Sequence, residues 1–307
     1  MRLCAVSVDL DEIPSYFQIH GLTEPRRPAR TAVYDIALPR LRQLATDAGI
    51  PLTLFAIGKD LESLDARAKL RAAREAGHEI ANHSLDHRYD LTRLSYDEIV
   101  KQIDGGAGAI HEAVGARPVG FRAPGYTITD QVFAALGDLG VAYDSSVFPC
   151  PAYYAAKAAA ITGIALRGRT SQSIIDDPRV LTAPTRPYRV GRPYWTRGAG
   201  LVELPIQVTR GARLPFIGTA VTLAGPWKAR LLARMCAGEP LVNLELHGID
   251  VLDHEDGLEA LRPHQVDVRV AVAAKLASLH AVIETLKAAG YSFVTLREAA
   301  ERFARQP

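Results

Sequence analysis

The sequence predicts an α/β fold, a distorted (β/α) barrel of about seven parallel strands. Three observations predict it. Short apolar runs alternate along the chain with longer stretches of helical periodicity, an order that gives a mainly parallel sheet. Five polar, chemically able residues, Asp9, His83, Arg122, Asp144 and His247, fall at the ends of predicted strands, and in parallel barrels sites are built at the C-terminal strand ends. The 307 residues, 48% hydrophobic and 23% charged, suffice for one large domain with a sizeable core.

Taken in order, residues 3–9 read as a short apolar strand that ends in acid. Residues 12–30 read as a long irregular segment, acidic and then rich in Arg and Pro. A helix over 31–48 leads to a strand at 52–57, and a helix over 61–76 stops at Gly77, the residue type that commonly ends helices. A short strand at 79–82 delivers His83. The helix at 95–114 precedes a strand at 119–122, and the helix at 129–139, closed by Gly140, precedes a strand ending at Asp144. The later elements are a strand at 201–206, a helix at 226–237, a strand at 241–247, a helix at 264–289 capped by Gly290, a strand at 291–295 and a terminal helix.

Residues 147–200 break the alternation. They carry several prolines with Arg186, Arg189, Arg192, Arg197, Tyr188, Tyr194 and Trp195. Such a segment reads equally as a substrate cover, with arginine for phosphate and aromatic rings for sugars, or as a solvated insertion or oligomer contact. With no internal repeat and no boundary signal, residues 1–307 read as a single domain carrying this irregular insertion. Residues 227–235 read as an ordinary barrel helix, with a basic amphipathic helix resting on a membrane as the alternative.

A net charge of +2 gives no argument for a nucleic-acid partner. Cys4, Cys150 and Cys236 are odd in number and scattered, which suits a reducing compartment rather than a disulfide framework. No secretory signal pattern is visible, and the longest apolar run, 214–225, is too short to span a bilayer. The expectation is a cytoplasmic chain without a transmembrane segment, with peripheral contact at the inner membrane face as an option.

The chemistry centres on the stretch Ile80-Ala-Asn-His-Ser-Leu-Asp-His87. Imidazoles four residues apart share a face if the turn is helical, and Zn²⁺ accepts imidazole nitrogens at about 2.0–2.1 Å. Asp9 and Asp11 are two apart in an extended segment and can face one pocket. Three protein groups can hold an ion and leave a position for water, and the spare carboxylate can take that water's proton. The other candidates lie in Gly120-Phe-Arg-Ala-Pro-Gly-Tyr126, in the segment with Asp144, and at His247, which ends an apolar strand before Gly248.

The order Asp-x-Asp, His-Ser-x-x-His, Arg-x-Pro, Asp-Ser and a strand-terminal His resembles the polysaccharide deacetylase (NodB-homology) superfamily, carbohydrate esterase family 4, over about residues 3–296. Within it the chain is similar to the divergent branch that acts on sugar or lipid-linked amides. The resemblance implies Asp9 as base and Asp11, His83 and His87 as metal ligands. Typical members have the two aspartates adjacent, whereas Leu10 separates them here, so the reverse assignment of Asp9 and Asp11 stays open. It further implies that Arg122 orients Asp9, that Asp144 pairs with His247, and that His247 protonates the leaving amine. An N–H near Gly125 or Tyr126 completes the oxyanion hole, with Gly125 where typical members carry an aromatic residue, and Ser145 and Ser146 replace a tryptophan often found there.

The implied cofactor is one divalent ion, Zn²⁺ first, with Co²⁺, Mn²⁺ or Ni²⁺ as alternatives. The implied activity is removal of an N-acyl group, foremost N-acetyl, from a saccharide or a lipid- or nucleotide-linked aminosugar. A deformylase or other linear or cyclic amide hydrolase on the same scaffold is the rival, and a non-catalytic saccharide-binding protein is the third reading.

Overall fold

The computed structural model describes residues 2–23, 25 and 29–305. In chain order the elements run β1 (Arg2–Asp9), α1 (Ile13–Ile19), α2 (Leu38–Ala48), β2 (Thr53–Ala56), α3 (Leu64–Glu75) and β3 (Glu79–Asn82). They continue with α4 (Tyr96–Val114), β4 (Gly120–Phe121), α5 (Asp130–Asp138), β5 (Tyr143–Asp144), α6 (Pro151–Ala165), β6 (Tyr188–Val190) and β7 (Arg197–Glu203). The last are α7 (Gly218–Cys236), β8 (Leu241–His247), α8 (Val272–Ala288), β9 (Tyr291–Phe293) and α9 (Leu296–Ala304).

The strands form one sheet in the order β6-β7-β5-β4-β3-β2-β1-β8, with β9 branching from β1. The ladders are parallel except β6–β7, which is an antiparallel hairpin at the edge. Seven strands, β7 to β8 along this path, make the expected parallel set. β1 is central and is buried over Leu3–Asp9, as a strand covered on both faces must be. One of its edges runs along β8, while the other pairs with β9 at Arg2–Cys4 and with β2 at Ser7–Asp9.

The sheet curls into a half-barrel. Its open side is crossed by the chain that leaves β7. The Leu204 N–H donates to the Asp144 carbonyl at 2.9 Å, and the Gln207 N–H donates to the Asn243 carbonyl at 3.1 Å. The ends of β5 and β8 are thereby drawn around one interior. Helices pack outside it, and the main apolar core lies between the β1–β2–β8 face and α2, α3, α7 and α8, through Leu41, Leu70, Ala233 and Val282. Local signals fix the helix starts: Ser95 and Glu98 form a reciprocal cap on α4, and Thr295 with Glu298 does the same for α9.

The structure departs from the sequence expectations at four places. The segment 12–30 opens with helix α1, because Glu12 accepts from the Ile13, Val33 and Tyr34 N–H groups and ties the turn to the start of the next helix; its residues 24 and 26–28 lie outside the described set. The insertion 147–200 is partly regular, with α6 and the β6–β7 hairpin inside it. Helix α7 begins at Gly218 rather than 226, and it is kinked where Gly225 (φ 77°, ψ 164°) precedes Pro226, which cannot donate to the preceding turn. Helix α8 begins at Val272, after a short turn at Asp267–Arg269.

Candidate active site

The C-terminal ends of β1, β3, β4 and β8 converge. Alternation along β1 points Ser7 and Asp9 into the half-barrel while Val6 and Val8 face the helices. Arg122, completely buried at the end of β4, crosses the interior to meet them. Its Nη1 donates to Asp9 Oδ1 at 2.6 Å, its Nη2 to Ser7 Oγ at 2.8 Å and Ser145 Oγ at 2.9 Å, and its Nε to the Ser145 carbonyl at 2.9 Å. The guanidinium carbon lies 4.1 Å from the centroid of the Phe55 ring. Asp9 is held by one oxygen, and its Oδ2 has no hydrogen-bond partner among the described residues.

His83 and His87 do not lie on a helix. The chain turns back after β3 through positive φ at Ser84 (70°) and His87 (53°), with the Ser84 hydroxyl accepting from the His87 N–H at 3.1 Å. Irregular backbone, not helical spacing, brings the two rings to 4.9 Å between centroids. His83 Nδ1 sits 2.7 Å from the Arg122 carbonyl. A carbonyl only accepts, so the proton is on Nδ1 and the Nε2 lone pair is free. That Nε2 lies 3.3 Å from Asp11 Oδ1, and His87 Nε2 lies 3.1 Å from Asp11 Oδ2.

Asp11, His83 and His87 offer one ligand atom each, all within 4.8 Å of one another, and all three residues are buried. Among the described residues, Asp11 Oδ1 and His87 Nε2 have no hydrogen-bond partner. Burial alone would raise the Asp11 pKa, but the His87 and His83 imidazoles outweigh it and hold the carboxyl well below its ordinary range. With the imidazoles neutral, their lone pairs and the carboxylate oxygens face one another without a proton between them, and a cation there satisfies all three. One carboxylate and two imidazoles with an approach left open suit a catalytic divalent ion.

His247 ends β8 on the other side of Asp11, with Nε2 4.0 Å from Asp11 Oδ2. Asp144 does not pair with it. The partner is Glu245, whose Oε1 lies 2.9 Å from His247 Nδ1. The reason is strand alternation: Glu245 is two residues upstream on the same face of β8. Burial would lower the imidazole pKa, but the Glu245 carboxylate outweighs it and holds His247 well above its ordinary value. Asp144 instead accepts from the Ser146 hydroxyl at 2.8 Å and N–H at 2.9 Å and faces the buried Glu203 carboxyl. Asp9, Glu245 and His247 also bring ligand atoms within 4.8 Å of one another, but Arg122 engages Asp9 and Glu245 engages His247, which suits proton transfer better than ligation.

The Pro124–Tyr126 turn faces the same space. The Tyr126 N–H donates back to the Ala123 carbonyl at 3.1 Å, so Gly125 is the better source of an oxyanion donor. Gly125 has φ 62°, and a Cβ there would lie 2.9 Å from the Tyr89 ring. The insertion contributes here: Lys157 of α6 donates to the Gly125 carbonyl at 3.0 Å, and Tyr153 packs on the buried Tyr126 ring at 5.6 Å. Its basic, aromatic part lies elsewhere. The turn between β6 and β7 precedes β7, at the end of the sheet away from the site, with Arg186 paired to Glu239 and Arg189 donating to the Ala304 carbonyl. A polar cleft of about 530 Å³ reaches His87 from the other side, lined by Tyr34, Lys59, Asp60 and Asp86 among others.

Sequence reasoning missed Glu245, Asn243 and Ser7. Asn243 accepts from Ser7 Oγ at 3.0 Å and donates to Ser145 Oγ at 3.0 Å and the Leu204 carbonyl at 3.1 Å, sewing β1, β5 and β8 together beneath Asp9. The signal was present: Asn243, Glu245 and His247 alternate with Val242, Leu244 and Leu246.

Residues 33–143 match the family model for polysaccharide deacetylase, a span that holds His83, His87 and Arg122 but not Asp9, Asp11 or His247. A peptidoglycan deacetylase of Helicobacter pylori is 23% identical over 150 residues, 47% of this chain and 49% of that protein, so the chain spans about half the relative's length. A solved polysaccharide deacetylase structure from Mycobacterium smegmatis aligns with 96% of this chain and 93% of its own at a TM-score of 0.53 and 21% identity. The Xyl-CE4 domain of a multidomain xylanase from the hindgut metagenome of Trinervitermes trinervoides covers 100% of this chain and 93% of its own at a TM-score of 0.51 and 16% identity. At these identities the structural likeness is one of fold.

Proposed function

Taking the chain as a member of the polysaccharide deacetylase (NodB-homology) superfamily, we propose that it is a metal-dependent hydrolase that removes an N-acetyl group from an amino sugar, in a saccharide or a lipid- or nucleotide-linked precursor. The observation that carries this reading is the buried Asp11–His83–His87 cluster set between Asp9, held by the Arg122 guanidinium, and His247, held by the Glu245 carboxylate.

Asp11, His83 and His87 would hold the ion, which when bound supplies Lewis-acid polarisation of an amide carbonyl and acidifies water. Asp9, fixed through Oδ1 by Arg122 and open at Oδ2, takes the proton of the attacking water. The Gly125 N–H faces the charge that develops on the carbonyl oxygen. An amine leaves poorly unless it is protonated as the tetrahedral intermediate collapses. His247, kept charged by Glu245, gives that proton from Nε2. The three free, buried cysteines suit a reducing, cytoplasmic setting for this reaction.

The test is a mass-spectrometric screen of N-acylated amino sugars with the metal-loaded chain. Loss of one acetyl group supports the reading. Loss of formyl alone makes the chain a deformylase, and a ring-opened product makes it a cyclic amide hydrolase. Saccharide binding without any mass change, at full metal occupancy, overturns the catalytic reading.

A further inference from the structure

We propose that helix α7 docks this protein on an anionic lipid bilayer. The inference rests on the surface of the helix and is independent of the reaction proposed above. Helix α7 packs one face on the core and against α8, burying Val221, Ala229, Ala233 and Cys236. The surface of the helix carries Leu223 just before the kink at Gly225, and Trp227 and Leu231 one turn apart after it, at 42%, 71% and 47% exposure. Three large exposed apolar side chains within nine residues of one helix are a local concentration rather than scattered exposure.

The charge around the patch names the occupant. From Leu204 to Gly238 the chain has no Asp or Glu, but it has Arg210, Arg213, Lys228, Arg230 and Arg234. The whole protein has 34 acids in 307 residues and a net charge of only +2, so this one-sided stretch stands apart from the rest of the surface. Arg210 leans on Glu239 at 3.6 Å and Arg213 donates to the Leu181 carbonyl. Lys228, Arg230 and Arg234 enter no ion pair among the described residues. Glu284, which lines the shallow groove between α7 and α8, is taken by Lys287 at 3.2 Å. A tryptophan and two leucines flanked by unpaired cations match the chemistry of a phosphate-bearing interface, with rings and chains at the acyl boundary and cations at the headgroups. A second copy of the same positively charged face would be repelled. No helix among the described residues is long and apolar enough to cross the membrane, so the contact is peripheral.

The helix also connects the patch to the site. At its first turn Gly218 packs on the Asp250 carboxylate, leaving no room for a Cβ, and the Thr219 hydroxyl bonds Asp250 Oδ1 at 3.2 Å. The other oxygen of Asp250 accepts from the His247 N–H at 2.8 Å. Leu223 lies five residues along, within about 8 Å of helix rise from that turn and before the kink at Gly225. A bilayer held on α7 therefore lies near the wall that carries His247, where a lipid-linked substrate would be within reach.

Vesicle co-sedimentation of the full chain tests this, with phosphatidylcholine alone and with phosphatidylcholine plus phosphatidylglycerol. Binding to the anionic vesicles, weakened by salt, is expected. The combined substitution L223S/W227S/L231S should cut the bound fraction at least ~10-fold. K228E/R230E/R234E should lower affinity for anionic vesicles by roughly 100-fold. Both variants should keep the wild-type melting temperature and metal occupancy. The chain has two tryptophans, so W195F leaves Trp227 as the sole indole reporter, and its emission should shift to the blue on anionic vesicles. Absence of vesicle binding, binding unchanged by both triple variants, or a dimer in solution that Trp227→Ser converts to monomer would each overturn the proposal.

Discussion

Asp9 and Asp11 are two residues apart on one stretch of chain, yet their surroundings differ. Asp9 faces a guanidinium and Asp11 faces two imidazoles. This contrast supports the proposed roles of Asp9 as base and Asp11 as ligand, which the intervening Leu10 left open in the sequence. Asp9→Asn should keep metal and abolish turnover, since an amide accepts no proton, whereas Asp11→Asn should weaken metal binding sharply. Metal content and rate, measured side by side, check both, and the reverse pattern would exchange the two roles. Glu245 offers a second residue-level test. It holds the His247 imidazole above its ordinary value against the pull of burial. A raised pKa on the acid places the alkaline limb of kcat/KM at higher pH, so Glu245→Gln should move that limb to lower pH, with lower kcat. Asp144→Asn should leave the limb in place, because Asp144 bonds Ser146 and faces Glu203 rather than His247. A shift with Asp144→Asn and none with Glu245→Gln would reject Glu245 as the tuning group.

At the level of elements, helix α4 clamps the histidine loop. Asn82 donates to the Ile103 carbonyl, Gln102 bonds both Asp86 groups, and Gly106 lies against the Ser84 backbone. A Cβ at Gly106 would lie 2.7 Å from Ser84 C and would also strike Asn82 Oδ1, so Gly106→Ala must push loop and helix apart. The cost should be ~1–3 kcal/mol, with a fall in metal affinity of about tenfold or more. Gly108, two residues on, has no atom within 4 Å of that position, so Gly108→Ala should be neutral or stabilising by up to ~1 kcal/mol from helix propensity. Thermal melts and metal titration of the pair separate a specific clamp from general helix damage. The same elements mark what the sequence could reveal. The strands β1 to β5, β8 and β9, the helix breaks at Gly77 and Gly140, and the strand-end positions of Asp9, Arg122 and His247 were legible, because hydrophobic period and turn residues are local signals, whereas β6 and the start of β7 lay in the stretch read as irregular. The sequence left the conformation of the His83–His87 turn open, because i,i+4 spacing cannot distinguish a helix from a loop with two positive φ values. Glu245 was overlooked because a charge inside an apolar strand looks like noise until the strand is known to line an interior.

The whole molecule buries more acid than it pairs. Burial raises the carboxyls of Glu12 and Asp250 to about 7 and Asp60 to about 8, and it holds Glu203, beside Asp144, well above its ordinary range. Among the described residues, Glu203 Oε2 and Asp60 Oδ2 have no hydrogen-bond partner. His83 and His247 are raised as well, through their carboxylate neighbours working against burial. Each of these groups binds its proton more tightly folded than unfolded. Their stabilisation is complete below the unfolded pKa values and is lost as pH climbs through the folded ones. His78, lowered by burial, pulls the other way in this range, and the depressed Asp11 acts only below it. The metal-free protein should therefore melt progressively lower between about pH 5 and pH 8, by several degrees at about 2–4 °C per kcal/mol. Glu203→Gln keeps a hydrogen-bonding side chain without an ionisable proton and should flatten part of that slope. A divalent ion should act in the opposite sense, since Asp11, His83 and His87 bind it best when deprotonated. Saturating Zn²⁺ at about 100 times its Kd adds about 2.7 kcal/mol, so the zinc-loaded and chelated melting curves should diverge as pH rises. A chelated protein whose melting temperature is flat or rises over this range would show that the buried carboxyls are not protonated in the fold. Curves that fail to diverge would place the metal somewhere other than the histidine pair.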